Sequence, residues 1–300
     1  MIPQANAIKL IKIYFLICEQ WEAELKYLCE RFSNNNQPWL TDQEIMTIYL
    51  YCMDQEKHLT IKQIYQFADL YLRSWFPHLG SYASFNNRLN RLYEAFRKLA
   101  CTLLEQNQPW DCILDQSLLD SMPIITCSGK RAGKVARDIA DKGFCRTKSM
   151  YYYGLKLHAL GFRRMGKLPF PEQILLTGAS ESDINVYKQT WSEIPDRILF
   201  GDKGYMDIDF NQQKMKDYQL EMLTPVKEVK GMEHQHKQRI KAANDLFSTA
   251  VSRIRQPIEA LFNWLIQKTG IQMASTVRST KGLLVHAYGR LAAAYIFLVV

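Results

Sequence analysis

The sequence predicts an α/β fold, a mixed sheet flanked by helices, behind an all-helical N-terminal domain. Three observations carry this prediction. Apolar residues recur at helical spacing through the first hundred residues, the pattern turns β-rich from Trp110, and the β-rich runs then alternate with helical ones. At 300 residues and 47% hydrophobic content the chain can bury a full core, which excludes a disordered protein. The expected division is residues 1–108 as a helical domain and 109–300 as the α/β domain.

In the first part, Ile8, Ile11, Phe15 and Leu16, then Trp21, Leu25 and Leu28, recur at helical spacing. Thr41 with Glu44 and Thr60 with Gln63 form capping boxes ahead of apolar runs, and Asn34 to Pro38 reads as a turn. A further helix follows Ser81 or Ser84, with Phe85, Leu89, Leu92 and Phe96 on one face. Its other faces carry Asn87, Arg88 and Arg91, residue types that make bidentate contacts to adenine and guanine from a recognition helix. The same residues are also what the wet face of any amphipathic helix carries.

Strands are predicted at 112–119, 151–160, 173–177, 197–201 and 221–224, with helices at 183–193 and 207–218 and long helices to the end. Three strands, helix, strand, helix, strand, helix is the element order of a ribonuclease-H-like domain. In such a sheet the first and fourth strands are neighbours. Asp120 follows the first and Asp202 the fourth, while Glu259 lies on a helix that Pro257 opens. Two-metal catalysis needs convergent carboxylates of this kind, because hard cations about 3.5–4 Å apart need bridging and flanking oxygens. Gly201 and Gly204 flank Asp202 and are expected to let the backbone turn. Asp115 competes with Asp120 within one apolar run, and Asp183 is expected to cap a helix, with a supporting role at the site as the alternative.

The net charge of +8 is unevenly placed. Residues 1–110 hold 11 basic and 11 acidic residues, whereas 128–168 hold 11 basic residues against Asp138 and Asp141, a local excess of +9. Clustered cations release counterions on meeting phosphates, so this basic segment points to nucleic acid. A solvated surface loop is the alternative. Seven cysteines, an odd number without Cys-x-x-Cys spacing, indicate neither a disulfide framework nor a zinc site and fit a reducing cytoplasm. No signal-peptide pattern opens the chain, and Arg290 leaves the apolar tail 291–300 too short to span a bilayer. No membrane partner is expected.

Leu119-Asp120-Ser121-Met122-Pro123, Tyr152-Tyr153-Gly154-Leu155-Lys156-Leu157-His158, Gly201-Asp202-Lys203-Gly204-Tyr205 and Arg255-Gln256-Pro257-Ile258-Glu259 occur in that order. This succession resembles bacterial insertion-sequence transposases of the DDE and retroviral-integrase superfamily, most closely insertion-sequence family nine-eighty-two. The resemblance implies a ribonuclease-H-like domain that cleaves and joins strands at element ends, with Asp120, Asp202 and Glu259 holding two Mg²⁺ or Mn²⁺ ions. It also implies double-stranded DNA as partner (terminal inverted repeats and target), a homodimer on that DNA, and a bacterial, cytoplasmic, nucleoid-associated protein.

Lys156, Lys203 and Arg255 are then expected near DNA phosphates, and His158 either there or as a satisfied histidine of its strand. The family signature around the glutamate has Tyr seven residues before it, Arg four before and Lys seven after. This chain has Ser252, Arg255 and Ile266 there. Lys268, two residues beyond Ile266 and turned from it by about 200° on an ideal helix, is the candidate to take the place of the missing Lys at the DNA. The departure keeps two alternatives open: an inactive DNA-binding derivative, and a metal-dependent nuclease that cuts without joining.

Overall fold

Helical periodicity in the first hundred residues becomes α1 (Gln4–Gln20), α2 (Asp42–Gln55), α3 (Ile61–Tyr71), α4 (Tyr82–Arg91) and α5 (Tyr93–Gln106) in the computed structural model, which describes residues 2–29, 38–55, 60–146, 148–227 and 234–299. The turn read at Asn34–Pro38 falls almost wholly on 34–37, outside the described residues. Both capping boxes form. Thr41 N–H donates to Glu44 Oε2 at 2.5 Å and Glu44 N–H to Thr41 Oγ1 at 3.2 Å, with the reciprocal pair at Thr60 and Gln63. The single helix expected after Ser81 is two helices that part at Leu92, where ψ rises to 11°. Phe85, Leu89, Leu92 and Phe96 are all buried as their spacing requires.

The chain divides into two compact units: residues 1–107, 124–139 and 265–300 form one, and 108–123 with 140–264 the other. In the helical unit, α10 (Thr280–Leu284), a π-helical turn (Val285–Gly289) and α11 (Arg290–Val299) come back onto the N-terminal helices, α11 against α2 and α5. Gly289 permits this approach, because a Cβ there would stand 2.8 Å from the Tyr49 ring. Arg290 is buried and donates to the Thr269 carbonyl.

His286 is buried in the same place, its Nε2–H donating to Ile271 O at 2.8 Å. Burial, with Arg290 beside it, pushes its pKa down to about 3. An unfolded chain protonates histidine near 6.5. The stability this neutral imidazole contributes is therefore complete above about pH 6.5 and is lost as pH falls from there toward 3, at up to about 1.4 kcal/mol per pH unit. Urea midpoints measured from pH 7 to pH 5 are expected to fall steeply, and His286→Gln to flatten that slope.

The other unit holds the sheet, with β1 only as far as Pro123: β1 (Ile113–Ser128), β2 (Asp141–Cys145), β3 (Met150–Arg163), β4 (Phe170–Gly178), β5 (Arg197–Phe200) and β6 (Leu220–Leu223). The order is β2-β3-β1-β5-β6, with β4 pairing β3. β2 takes the first half of β3 and β4 the second, both antiparallel, while β1, β5 and β6 run parallel. Leu119, Leu160, Leu199 and Leu220 project from four strands onto one face. There they meet Val186, Tyr187 and Trp191 from α6 (Asp183–Val186) and the π-helical turn after it. Each fully buried side chain of this size contributes roughly 1.5–3 kcal/mol, and Trp191 satisfies its Nε1–H on Gln173 Oε1 at 2.8 Å. α7 (Ile208–Tyr218) packs beside β6; α8 (His234–Arg255) and α9 (Pro257–Thr269) follow.

β1 corrects one expectation. It does not end at Leu119 but runs nine residues further, so Asp120 lies inside the strand. Pro123 has no N–H to give a ladder, and beyond it the strand finds new partners. Ile125 N–H donates to Gln272 O at 2.7 Å and Ile125 O accepts from Ala274 N–H at 2.8 Å.

Candidate active site

Parallel pairing fixes the first two acids side by side. Gln116, Ser117 and Leu118 of β1 lie opposite Ile198, Leu199 and Phe200 of β5, so Asp120 and Asp202 each stand two residues beyond the Leu118–Phe200 pair. Each carboxylate has one oxygen pinned by backbone. Asp120 Oδ1 accepts from Ser121 N–H at 2.8 Å and Asp202 Oδ1 from Gly204 N–H at 2.6 Å. Their other oxygens face arginines. Asp120 Oδ2 is 2.6 Å from Arg255 Nη1 and Asp202 Oδ2 is 4.0 Å from Arg146 Nη1.

Glu259 comes from the first turn of α9, where Pro257 occupies the helix start that needs no N–H donor. Arg255 closes α8 one turn earlier, and its Nη2 donates to Glu259 Oε1. One guanidinium thus joins Asp120 to Glu259. The glycines flanking Asp202 serve a purpose other than the expected turn. Neither has positive φ. A Cβ on Gly204 would lie 2.7 Å from Asp202 Oδ1, and one on Gly201 would lie 2.8 Å from the Tyr205 ring, so both positions require space.

The electrostatics follow from burial first and from neighbouring like charge second. Burial pushes the Asp120 carboxyl up to about 6, with Asp202 and Asp183 adding to the rise while Arg255 and the Ser121 N–H oppose it. Tyr205 is buried close to the three aspartates; burial first, then Asp183, Asp120 and Asp202, raise its phenol well above the usual range. Its hydroxyl has no hydrogen-bond partner among the described residues.

As a cation site the donor set fits in chemistry and charge. Asp120, Asp202 and Glu259 supply only hard carboxylate oxygens, which suit Mg²⁺ or Mn²⁺. Asp120 is under the repulsion that a cation relieves. Among the described residues no three His, Cys, Asp or Glu side chains converge on one point, and Arg255 provides the counter-charge instead.

Asp115 is exposed and, five residues from Asp120 on a strand, points to the opposite face. Asp183 is not the cap of α6: Ser182 is, its side chain accepting from Asn185 N–H at 3.3 Å. Asp183 faces Lys156 at 3.4 Å and His158 Nδ1 at 3.5 Å instead. Lys156 is largely buried and donates to Glu181 O at 2.6 Å, which makes it a strut between β3 and the segment before α6. His158 is fully buried, its Nε2 2.9 Å from Thr177 Oγ1.

Lys203 lines an open pocket of about 610 Å³ beside Glu259, with Arg253, Arg255 and the hydroxyls of Ser248, Thr249 and Ser252. Lys268 belongs to the other unit, where its ammonium lies over the Phe297 ring. In α4, Asn87 and Arg91 are exposed. Arg88 turns inward, 2.6 Å from Asp42 Oδ1, with 13% of its side chain exposed.

The basic run separates in the same way. Arg163 donates to Gln116, and Arg164 and Lys167 hold Asp111, whereas Lys130, Arg131, Lys134, Lys142 and Arg146 remain exposed. Arg146 and Tyr205 are the site members that the acid pattern did not single out. Tyr205 stood within the Gly-Asp-Lys-Gly-Tyr motif, while Arg146 was one cation among many.

The family model of the transposase DDE domain matches residues 113–279, more than half the chain and a span that contains Asp120, Asp202 and Glu259. No curated protein and no solved structure matches the chain. Among the described residues no helix is long and apolar enough to cross a membrane.

Proposed function

We propose, for a chain that belongs to the transposase DDE domain family, that it cleaves DNA at the ends of an insertion sequence and joins the freed 3′-hydroxyl to target DNA. Asp120, Asp202 and Glu259 are its catalytic carboxylates. The observation that carries this reading is the single guanidinium of Arg255 tying Asp120 to Glu259, with Asp202 brought beside Asp120 by the parallel register. Two acids distant in sequence are thereby linked through one cationic group, and the third stands beside them through strand pairing.

The three carboxylates would hold two divalent cations, which supply activation of the attacking oxygen and stabilisation of the leaving one. The rest falls to the side chains of the chain itself. Backbone N–H groups fix one oxygen of each aspartate, and the other faces an arginine, Arg255 for Asp120 and Arg146 for Asp202. Arg255 offsets one of the two charges of Asp120 and Glu259 before DNA binds, and it shares a pocket wall with Lys203 and Arg253, where a phosphodiester finds cations and hydroxyl donors together. The exposed cations of 130–146 add affinity without sequence preference. Asn87 and Arg91 are the α4 side chains positioned for base contacts; the ends and target are double-stranded, and a homodimer holds two ends together.

Incubating the protein and Mg²⁺ with labelled element ends and a plasmid target tests the proposal. Joined products are expected. Nicks alone would replace it with a nuclease, and a mobility shift without cleavage with a DNA-binding derivative.

A further inference from the structure

The hairpin of β2 and β3 has one covered face and one open one. Gly143 and Cys145 are buried on the covered side, where a Cβ on Gly143 would stand 2.2 Å from the Ala179 carbonyl oxygen. On the other side Phe144 and Tyr151 are directly opposed across the antiparallel pair, their ring centroids 5.0 Å apart at 59°. Both rings remain about half exposed, at 49% and 58%. Lys142, two residues along β2, places its ammonium 5.0 Å from the Tyr151 ring centre. Arg146, in the turn that follows β2, is 81% exposed and reaches to 4.0 Å from Asp202.

A cross-strand aromatic pair by itself stabilises a hairpin by a few tenths to about 1 kcal/mol. That role does not require the rings to stand open to solvent between two cations, with the end of the row at a catalytic acid.

We infer that Phe144 and Tyr151 form a stacking platform for unpaired DNA bases, rimmed by Lys142 and Arg146, which receives the single strand next to the bond being cut. Every base has a π face, so stacking on aromatic rings is indifferent to sequence, while flanking cations hold the phosphates. Duplex DNA presents no free base face, and the platform therefore selects single-stranded over paired DNA. The placement beside the reaction rests on the catalytic reading of Asp202. The stacking itself does not.

Binding of a short labelled oligo(dT) and of a duplex of the same length, at one fixed salt concentration, tests this. Replacing Phe144→Leu together with Tyr151→Leu keeps apolar bulk and removes both rings. Oligo(dT) affinity is expected to fall about 10-fold or more, with duplex affinity and melting temperature near wild type, and Phe144→Tyr, which retains a ring, is expected to bind normally. Unchanged oligo(dT) affinity in the double variant, or an equal loss on duplex, overturns the inference. If that variant does not fold, photocrosslinking of wild-type protein to an oligonucleotide carrying 5-iodouracil decides it: adducts at Phe144 or Tyr151 support the platform, and adducts only elsewhere exclude it. Neither measurement involves strand cleavage, so each can fail while the joining assay succeeds, and the reverse.

Discussion

Asp202→Asn is expected to reduce strand cleavage by at least about 10³-fold, equivalent to roughly 4 kcal/mol of transition-state stabilisation, while DNA affinity stays within a few-fold of wild type. The substitution is nearly isosteric. The asparagine oxygen can still accept from Gly204 N–H, as Asp202 Oδ1 does at 2.6 Å, so the turn after β5 keeps its local bond. What disappears is the negative charge on the oxygen that faces Arg146. Single-turnover cleavage of a labelled end, with binding followed by anisotropy, separates the two effects. An asparagine variant that still cuts in Mg²⁺ would remove Asp202 from the catalytic set.

Arg255→Gln is expected to lower stability by about 2 kcal/mol. Removing one partner of a buried ion pair costs about 3–5 kcal/mol; the exposure of Glu259, at 52% of its side chain, reduces the share from that pair. The larger part comes from Asp120, whose side chain is 19% exposed and would lose its 2.6 Å partner beside two other aspartates. Millimolar Mn²⁺ should restore part of the loss in the variant and stabilise wild type less, because in wild type the guanidinium already supplies the counter-charge. Equal urea midpoints for the two proteins without metal would show that Arg255 is not the counter-ion of this cluster. Activity is expected to fall as well, since the same side chain lines the pocket beside Glu259.

Much of this was legible in the residues. β5, α7 and β6 fall within one residue of their expected bounds because apolar runs, the Asp207 cap and short turns agree there. Asp202, two residues past a strand end, could be read directly. The overrun of β1 could not: its continuation depends on residues 272–274, nearly 150 positions away, which accept and donate where Pro123 interrupts local pairing. Nor could the inward turn of Arg88, since helical spacing fixes an angle but not which neighbour, here Asp42, will fill it. β2 was hidden inside a basic run whose charge masks its alternation. The glycines beside Asp202 were legible as glycines, but their reason, close approach by Asp202 and Tyr205 side chains, is a property of packing. Gly289 is similar, since its need for space arises from Tyr49 in a helix far up the chain.

Glu259 is the acid on which the account depends most. It comes from a helix, its side chain is the most exposed of the three, and Ser252 and Ile266 occupy the positions where the family signature has Tyr and Lys. The most direct measurement is plasmid joining by Glu259→Gln, beside wild type, under conditions where both bind the element end equally. The proposal predicts joining and end cleavage both reduced to background, with melting temperature within a few degrees of wild type. Cleavage or joining at wild-type rates by Glu259→Gln would contradict the three-carboxylate centre.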